Sequence, residues 1–505
     1  MDEEKLFCTL ADNVQWLRLQ FMPSEDLYIK NVIVGGVTGV LCIFEGLSDL
    51  ERLWVMAGQA MSQLPPLPEE GDAVLEYLLT QTLIPLDKTI AVTRGQVVRF
   101  LTAGAAVLLL EGSSRALVVS SQGQQFRSVS EPSGEGNLRG SHEGFVELLR
   151  INISLLRRLV RSPQLHCEIQ IVGKTTRTEA AILYHSEKCP AHMVEMVKKQ
   201  LQSTGLDMLF DPGYLAPFVI RTPFSLFTPA GFTERPDTAA AKLCEGKLVV
   251  LVNGSPYAMV LPHFFCEHFQ SMDDYLQRPY FSSFIRLLKY AAFFVSILLP
   301  GAFVAAADFT PELLSSTLLY KLASAQMTTP LPLFWEMVIV NLLLEIIREA
   351  GLRLPKSIGH AVSLVAALIV GDAAVQIGLL GTPVLVICAL AGLCSYVVPS
   401  LYEPGIVLRL VFLLAGGLAG PVGMAMLGCL CLLDVCRPSP FGIPYTAPAT
   451  PYSSALWRDG LLRTSWRKLT QHPPFTVKDL PRRRNGRNGK RTKEEGGDAD
   501  EMHTG

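Results

Sequence analysis

The chain has 505 residues, 49% of them hydrophobic and 18% charged, with a formal net charge of −2. That length exceeds one ordinary core and suggests about three units at roughly 150 residues each. The near-neutral charge excludes a nucleic-acid binder, whose phosphate contacts need a concentrated excess of Lys and Arg.

Residues 1–27 form an N-terminal segment in which Asp2, Glu3 and Glu4 give the wrong flank charge for a cleaved export signal. The eleven cysteines follow no evenly spaced framework, so they read as reduced, mostly buried thiols of a region facing the cytosol. A first α/β lobe is expected over 28–127, with strands around a turn from Val32 to Phe44 and a helix from Asp49 to Met61. Val97 to Ser120 then reads as strand, tight turn and strand. Residues 128–144, charged and rich in Gly and Ser, form an inter-lobe linker.

A second α/β lobe, 145–275, opens with an Arg-rich helix from Phe145 to Arg161. Arg150, Arg157, Arg158 and Arg161 share one basic face of it, either a solvated surface or a contact for an acidic neighbour or a second copy of the chain. Lys247 to Pro262 repeats the strand, turn and strand pattern. Leu110-Glu111-Gly112-Ser113 with Ala116 and Val118 matches Val252-Asn253-Gly254-Ser255 with Ala258 and Val260. A Gly after Asn or an acid suits a hairpin turn that needs positive φ, and the recurrence suggests two related lobes.

Residues 276–436 read as a transmembrane helical bundle. Phe284 to Ala307 is long and apolar enough to cross, and Arg286 and Lys289 in its first turns place its start in the cytoplasm. Leu331 to Ile347 is a return crossing that carries Glu336, Asn341 and Glu345. Ile358 to Leu380, with Asp372 and Gln376, and Val384 to Val398 form a closely packed small-residue pair. The last run, Ile406 to Leu433, would as one helix put the basic tail outside, against the preference of Arg458, Arg463, Arg467, Lys468 and Arg482-Arg483-Arg484 for the cytoplasm. Either Gly416-Gly417 and Gly420-Pro421 break it into a hairpin, or the second run does not fully cross. The expected fold is thus an α/β cytosolic region of two related lobes, then an α-helical transmembrane bundle of five or six crossings. A cytosolic tail, 437–505, comes last and is disordered at its end.

Ionisable residues inside a span are costly unless they face protein or water. Glu336, Asn341 and Glu345 fall near one helical side, where they line an ion path that favours cations, pair between helices, or pair locally, as Glu345 with Arg348. Elsewhere chemistry finds little support. Gly173-Lys174-Thr175 ends like a phosphate loop, but Glu168 stands where that loop needs Gly. His263, Cys266 and His268 offer three metal ligands and no evident fourth. No hydrolase elbow or zinc-protease pair occurs. No catalytic residue, metal or cofactor is expected.

Several segments in order carry a resemblance. Glu131-Pro132, Glu135, Arg139-Gly140 and Glu143-Gly144-Phe145 are followed by Asn152, Arg157-Arg158 and Val172-Gly173-Lys174, then by Thr233-Glu234-Arg235-Pro236-Asp237, Gly246 and Asn253-Gly254-Ser255-Pro256. In the membrane part come Leu299-Pro300-Gly301, Phe309-Thr310-Pro311-Glu312, the run from Arg348 to Pro355, Ile358-Gly359-His360-Ala361-Val362-Ser363 and Phe441-Gly442-Ile443-Pro444-Tyr445. This set resembles the A subunit of GerA-type spore germinant receptors, with Ser141 where that family usually has Pro. The resemblance implies a subunit of the inner membrane of the spore or cell, acting in nutrient sensing beside a transporter-like B subunit and a lipoprotein C subunit. It also implies a homo-oligomeric ring that conducts ions. Candidate pore-lining residues are Glu336, Asn341 and Glu345. Candidate subunit contacts are Arg139, Glu143, Arg150, Arg157, Arg158, Arg161, Glu234, Arg235 and Asp237, with membrane lipid as a further partner. The alternative is a non-conducting scaffold that recruits and couples the nutrient-binding subunit.

Overall fold

The computed structural model describes residues 4–49, 70–80, 87–121, 132, 134–137, 139–219, 225–353, 371, 373–438, 440–450, 452 and 456–471. Most of the helix expected from Asp49 to Met61, most of Ile358 to Leu380 including Asp372, and the basic run at Arg482 lie outside them.

Short apolar runs, continuous and buried on both faces in the central strands, form two five-stranded antiparallel sheets. The first holds β1 (Leu27–Val34), β2 (Val37–Phe44), β3 (Lys88–Ala91), β4 (Ala106–Leu110) and β5 (Ala116–Val119), in the spatial order β1-β2-β4-β5-β3. Val107, Leu109, Ala116 and Val118 face α1 (Leu10–Phe21) and a second helix, while Leu110, Leu117 and Val119 face α2 (Gly71–Thr80). That second helix, α3 (Arg94–Thr102), corrects the expectation of a strand starting at Val97. Thr93 and Gln96 form a reciprocal cap at its start, which outweighs the strand preference of Val97, Val98 and Phe100. The hairpin itself begins only at Ala106.

The second sheet holds β6 (Leu165–Val172), β7 (Thr178–His185), β8 (Gly231–Thr233), β9 (Leu248–Val252) and β10 (Ala258–Leu261), ordered β6-β7-β9-β10-β8. Strand for strand this is the order of the first sheet. Helices α4 (Leu149–Leu159) and α6 (Pro236–Cys244) cover one face, and α5 (Ala191–Gln202) the other. The recurrent turns also agree in detail. Gly112 and Gly254 have φ of 78° and 97°, and the serines after them, Ser113 and Ser255, each donate to an aspartate, Asp72 and Asp211, at 2.6 Å.

From Pro279 to Cys436 the described residues form α7 (Pro279–Asp308), α8 (Ser316–Gln326), α9 (Leu333–Arg353), α10 (Thr382–Ser395) and α11 (Tyr402–Cys436). Among the described residues two helical segments, Pro279–Asp308 and Pro399–Cys436, are long and apolar enough to cross a membrane. The second of these is not straight. Gly420 has φ 59° and ψ −150°, and Pro421 comes directly after it. Before this break the helix lies along α7, with Gly416 against Gly301 and Gly420 against Phe309. After it, Met424, Leu427, Cys431 and Val435 pack back against the cluster of Phe227, Phe293, Ile297 and Phe412, and Asp434 accepts the Leu226 N–H at 3.1 Å. The chain therefore reverses at Gly420, in the Gly420-Pro421 pair named from sequence, while Gly416-Gly417 stays helical. Beyond Cys436 it returns to the second sheet, where Phe441, Ile443 and Ala447 enter the core.

Candidate functional site

On α9, Glu336, Asn341 and Glu345 meet the neighbouring helices. Glu336 is only 1% exposed, and its carboxylate accepts the Gly381 N–H just ahead of α10. Asn341 donates to the Met337 carbonyl at 2.8 Å and to the Cys388 thiol at 3.2 Å, and its buried Oδ1 has no hydrogen-bond partner. Glu345 pairs with Arg348 at 2.7 Å and accepts the Tyr402 hydroxyl at 2.9 Å. The sequential contacts 336 to 381 and 341 to 388 make α9 and α10 run in the same direction, ending near the sheets where Tyr402 begins α11. In a single chain the stripe is thus engaged between helices.

The described part of the 128–144 segment is strapped onto the second sheet. Thr233 donates to Glu135 at 2.6 Å, the Gly134 N–H to Glu234 at 3.2 Å, and the Phe145 N–H to the Glu234 carbonyl at 2.7 Å. Arg235, 3% exposed, chelates Asp237 at 2.6 and 3.0 Å and donates to the Ser141 carbonyl at 2.8 Å. Burial pushes the Glu135 carboxyl up, against the Thr233 bond. Tyr257 donates to Glu234 at 2.6 Å, which with burial pushes its hydroxyl up to about 12.

The arginines of α4 divide. Arg157, 2% exposed, is spent on Asp26, Arg150 reaches Glu45 at 2.6 Å and Glu179 at 3.4 Å, and Arg158 pairs with Glu143. Arg139 and Arg161 remain exposed. Arg150 and Arg157 lie seven residues apart on one side of the helix, and both reach acids of this chain, Arg157 in the interior and Arg150 at the surface.

Two buried polar clusters lie at the base of α7; the sequence singles out His263, Cys266 and His268 as candidate metal ligands, but not the ion pairs beside them. Glu267 accepts from Lys242 at 2.7 Å and from Lys247, and with these two lysines outweighing burial its carboxyl sits well below the usual range. His268, next to it, bonds Ser400 at 3.1 Å and Tyr445 at 3.0 Å, and burial pushes it down to about 4. In the second cluster Arg286, fully buried, pairs with Asp274 at 2.8 Å and Asp459 at 3.1 Å. For this second cluster the sequence signal was a basic residue placed early in an apolar run. Cys266 faces the Ala447 carbonyl at 3.6 Å, and the Lys174 and Thr175 N–H groups are committed to the carbonyls of Leu206 and Asp207.

The strap and the β8 turn bring the described part of the Glu131 to Phe145 motif and the Thr233 to Asp237 motif into a single contact, with Glu135, Glu234 and Arg235 as its bonds. The family model of the Bacillus/Clostridium GerA spore germination protein matches residues 15–475, a span that includes both. The chain belongs to the GerA family. This GerA protein is 30% identical over 480 residues to spore germination protein KA of Bacillus subtilis (strain 168), covering 93% of this chain and 87% of that one. It is also 30% identical over 468 residues to the membrane protein YfkQ of the same organism, covering 92% and 90%. A crystal structure of the N-terminal domain of the A subunit of the Bacillus megaterium spore germinant receptor GerK3 is similar over 52% of this GerA chain and 98% of that one, at 22% identity and a TM-score of 0.41.

Proposed function

We propose that this GerA protein is the A subunit of a nutrient-responsive spore germinant receptor, a non-enzymatic inner-membrane protein whose copies form a ring around an ion path. It works beside a transporter-like B subunit, which takes the nutrient, and a lipoprotein C subunit. Both sheets and the C-terminal tail lie on the cytosolic side. The return of the chain at Gly420 supports this placement, since it brings the tail onto the second sheet instead of leaving it across a membrane. Among the described residues α7, α9, α10 and the two halves of α11 supply five traverses.

The observation that carries the conduction reading is the α9 stripe. Glu336 and Glu345 stand nine residues apart, a rise of about 13 Å along a helix, and carboxylates repeated around a ring favour cations. In this arrangement each is held by a neighbouring helix, as expected of a closed path, and separating α9 from α10 and α11 would free them. The same satisfaction of both carboxylates within one chain favours the second reading, a non-conducting scaffold that couples the nutrient-binding subunit.

Nutrient-triggered ion flux in liposomes carrying this subunit with its B and C partners separates the two. Flux with cation selectivity altered by Glu336→Gln or Glu345→Gln supports the path along α9. Flux indifferent to both moves the path elsewhere, and no flux with a stable monomer leaves the scaffold.

A further inference from the structure

We propose that Arg463 and Arg286, at the base of α7, bind a phosphoryl group presented by an anionic lipid headgroup or by free phosphate. Arg463 is 2% exposed and is anchored by its backbone, whose N–H donates to Ser283 at 2.9 Å. Its Nη1 donates to the Thr464 carbonyl, while its buried Nε and Nη2 have no acceptor, and it makes no ion pair among the described residues. Arg286 uses Nε on Asp274 and Nη1 on Asp459, and its buried Nη2 likewise has no acceptor. The two guanidinium groups share the Tyr275 ring, at 5.5 and 5.0 Å from its centroid, and Arg463 also lies 4.8 Å from that of Trp466.

Buried N–H groups of a cation left without acceptors carry a heavy desolvation penalty. The Nε and Nη2 edge of arginine is also the fork that receives a carboxylate or phosphate through two parallel bonds, and Arg157 uses that edge on Asp26 in this same chain. Every carboxylate of the cluster is already engaged: Asp274 by Arg286 and Lys289, Asp459 by Arg286 and Tyr275. The site therefore has donors left over and no acceptor to match them, which is the chemistry of an anion receptor. Its depth points to a lipid. Ser283 lies in the first turns of the long apolar helix, and Tyr280, Phe281, Phe284, Trp457 and Trp466 are exposed around it, as aromatic side chains are at the level of lipid headgroups.

The test uses the full chain in detergent, with phosphatidylglycerol, diacylglycerol and inorganic phosphate as probes, read by retained lipid in native mass spectrometry and by thermal unfolding. Wild type should retain phosphatidylglycerol but not diacylglycerol, and Arg463→Gln, which removes the charge and its two-bond fork, should weaken retention by roughly a hundredfold, with Arg463→Lys between them. If Arg463→Gln does not fold, the wild-type melting shift decides: a rise with phosphatidylglycerol and none with diacylglycerol supports the site. Stabilisation by inorganic phosphate alone assigns the same fork to a soluble ligand. Retention by Arg463→Gln equal to wild type, or no response to either phosphorylated probe, overturns the proposal.

Discussion

Arg157 presents the Nε and Nη2 edge of its guanidinium to Asp26 at 2.7 and 2.8 Å, with both side chains 2% exposed. The same group donates to the Leu165 carbonyl and lies 4.7 Å over the Phe44 ring. Asp26 leads into β1 and Arg157 belongs to α4, so one buried ion pair fastens the first sheet to the second. Removing one partner of such a pair strands the other charge. Asp26→Asn should destabilise the full chain by about 3–5 kcal/mol, whereas the apolar double replacement Asp26→Leu with Arg157→Met should lose much less. Thermal unfolding of the three variants checks this, and equal losses in single and double variants would show that the stranded charge is not the cause.

The contact of α7 with α11 rests on missing side chains. A Cβ on Gly301 would lie 2.5 Å from the Phe412 carbonyl oxygen, and one on Gly416 would lie 2.4 Å from that of Gly301. These backbone atoms cannot swing aside. Gly416→Ala or Gly301→Val should cost about 1–3 kcal/mol through overpacking. A Cβ on Gly428, in the same helix, would meet nothing within 4 Å, so Gly428→Ala serves as the tolerant control for melting measurements in detergent.

The reversal at Gly420 depends on a backbone conformation, φ 59° and ψ −150°, that is essentially restricted to glycine. Gly420→Ala should therefore cost about 1–3 kcal/mol. In the topology proposed above, the reversal puts Cys436 on the cytosolic side with Cys8, and both thiols are exposed. In single-cysteine variants an impermeant maleimide should label both from the cytosolic side of inverted vesicles and neither from the outer side. Labelling of Cys436 from the outer side alone would mean that α11 crosses straight through.

Acid should loosen the base of α7. His268 sits at about 4 against 6.5 for a free imidazole, because burial disfavours its charged form. His263, Glu267, Lys247, Ser400 and Tyr445 surround it. The unfolded chain takes up this proton more readily than the folded one, so stability is full above about pH 6.5 and declines as pH falls toward 4. Glu267 is held below its ordinary 4.5, so its contribution is lost in the same direction at still lower pH. The melting temperature should drop on acidification across that window, and His268→Gln should flatten the upper part of the drop. A melting temperature that rises on acidification contradicts the assignment.

Order along the chain and local pattern were enough to reveal much of this fold. The paired Gly112 and Gly254 turns pointed to two related units, since a positive φ is a local demand that only a few residue types meet, and the two sheets share one strand order. The same local logic marked Gly420-Pro421 as a break. It failed at Val97, where branched and aromatic residues mimic a strand and the Thr93 and Gln96 cap decides for helix. What only tertiary structure decided was the partner of each charge. Arg157, Arg235, Glu336 and Arg286 look from sequence like surface, motif, pore and flank residues, yet each meets a group brought to it by long-range folding: Asp26, Ser141, Gly381 and Asp459. A sequence states which residues carry charge and how they repeat, but burial and pairing depend on contacts between segments far apart along the chain, and those exist only once it has packed.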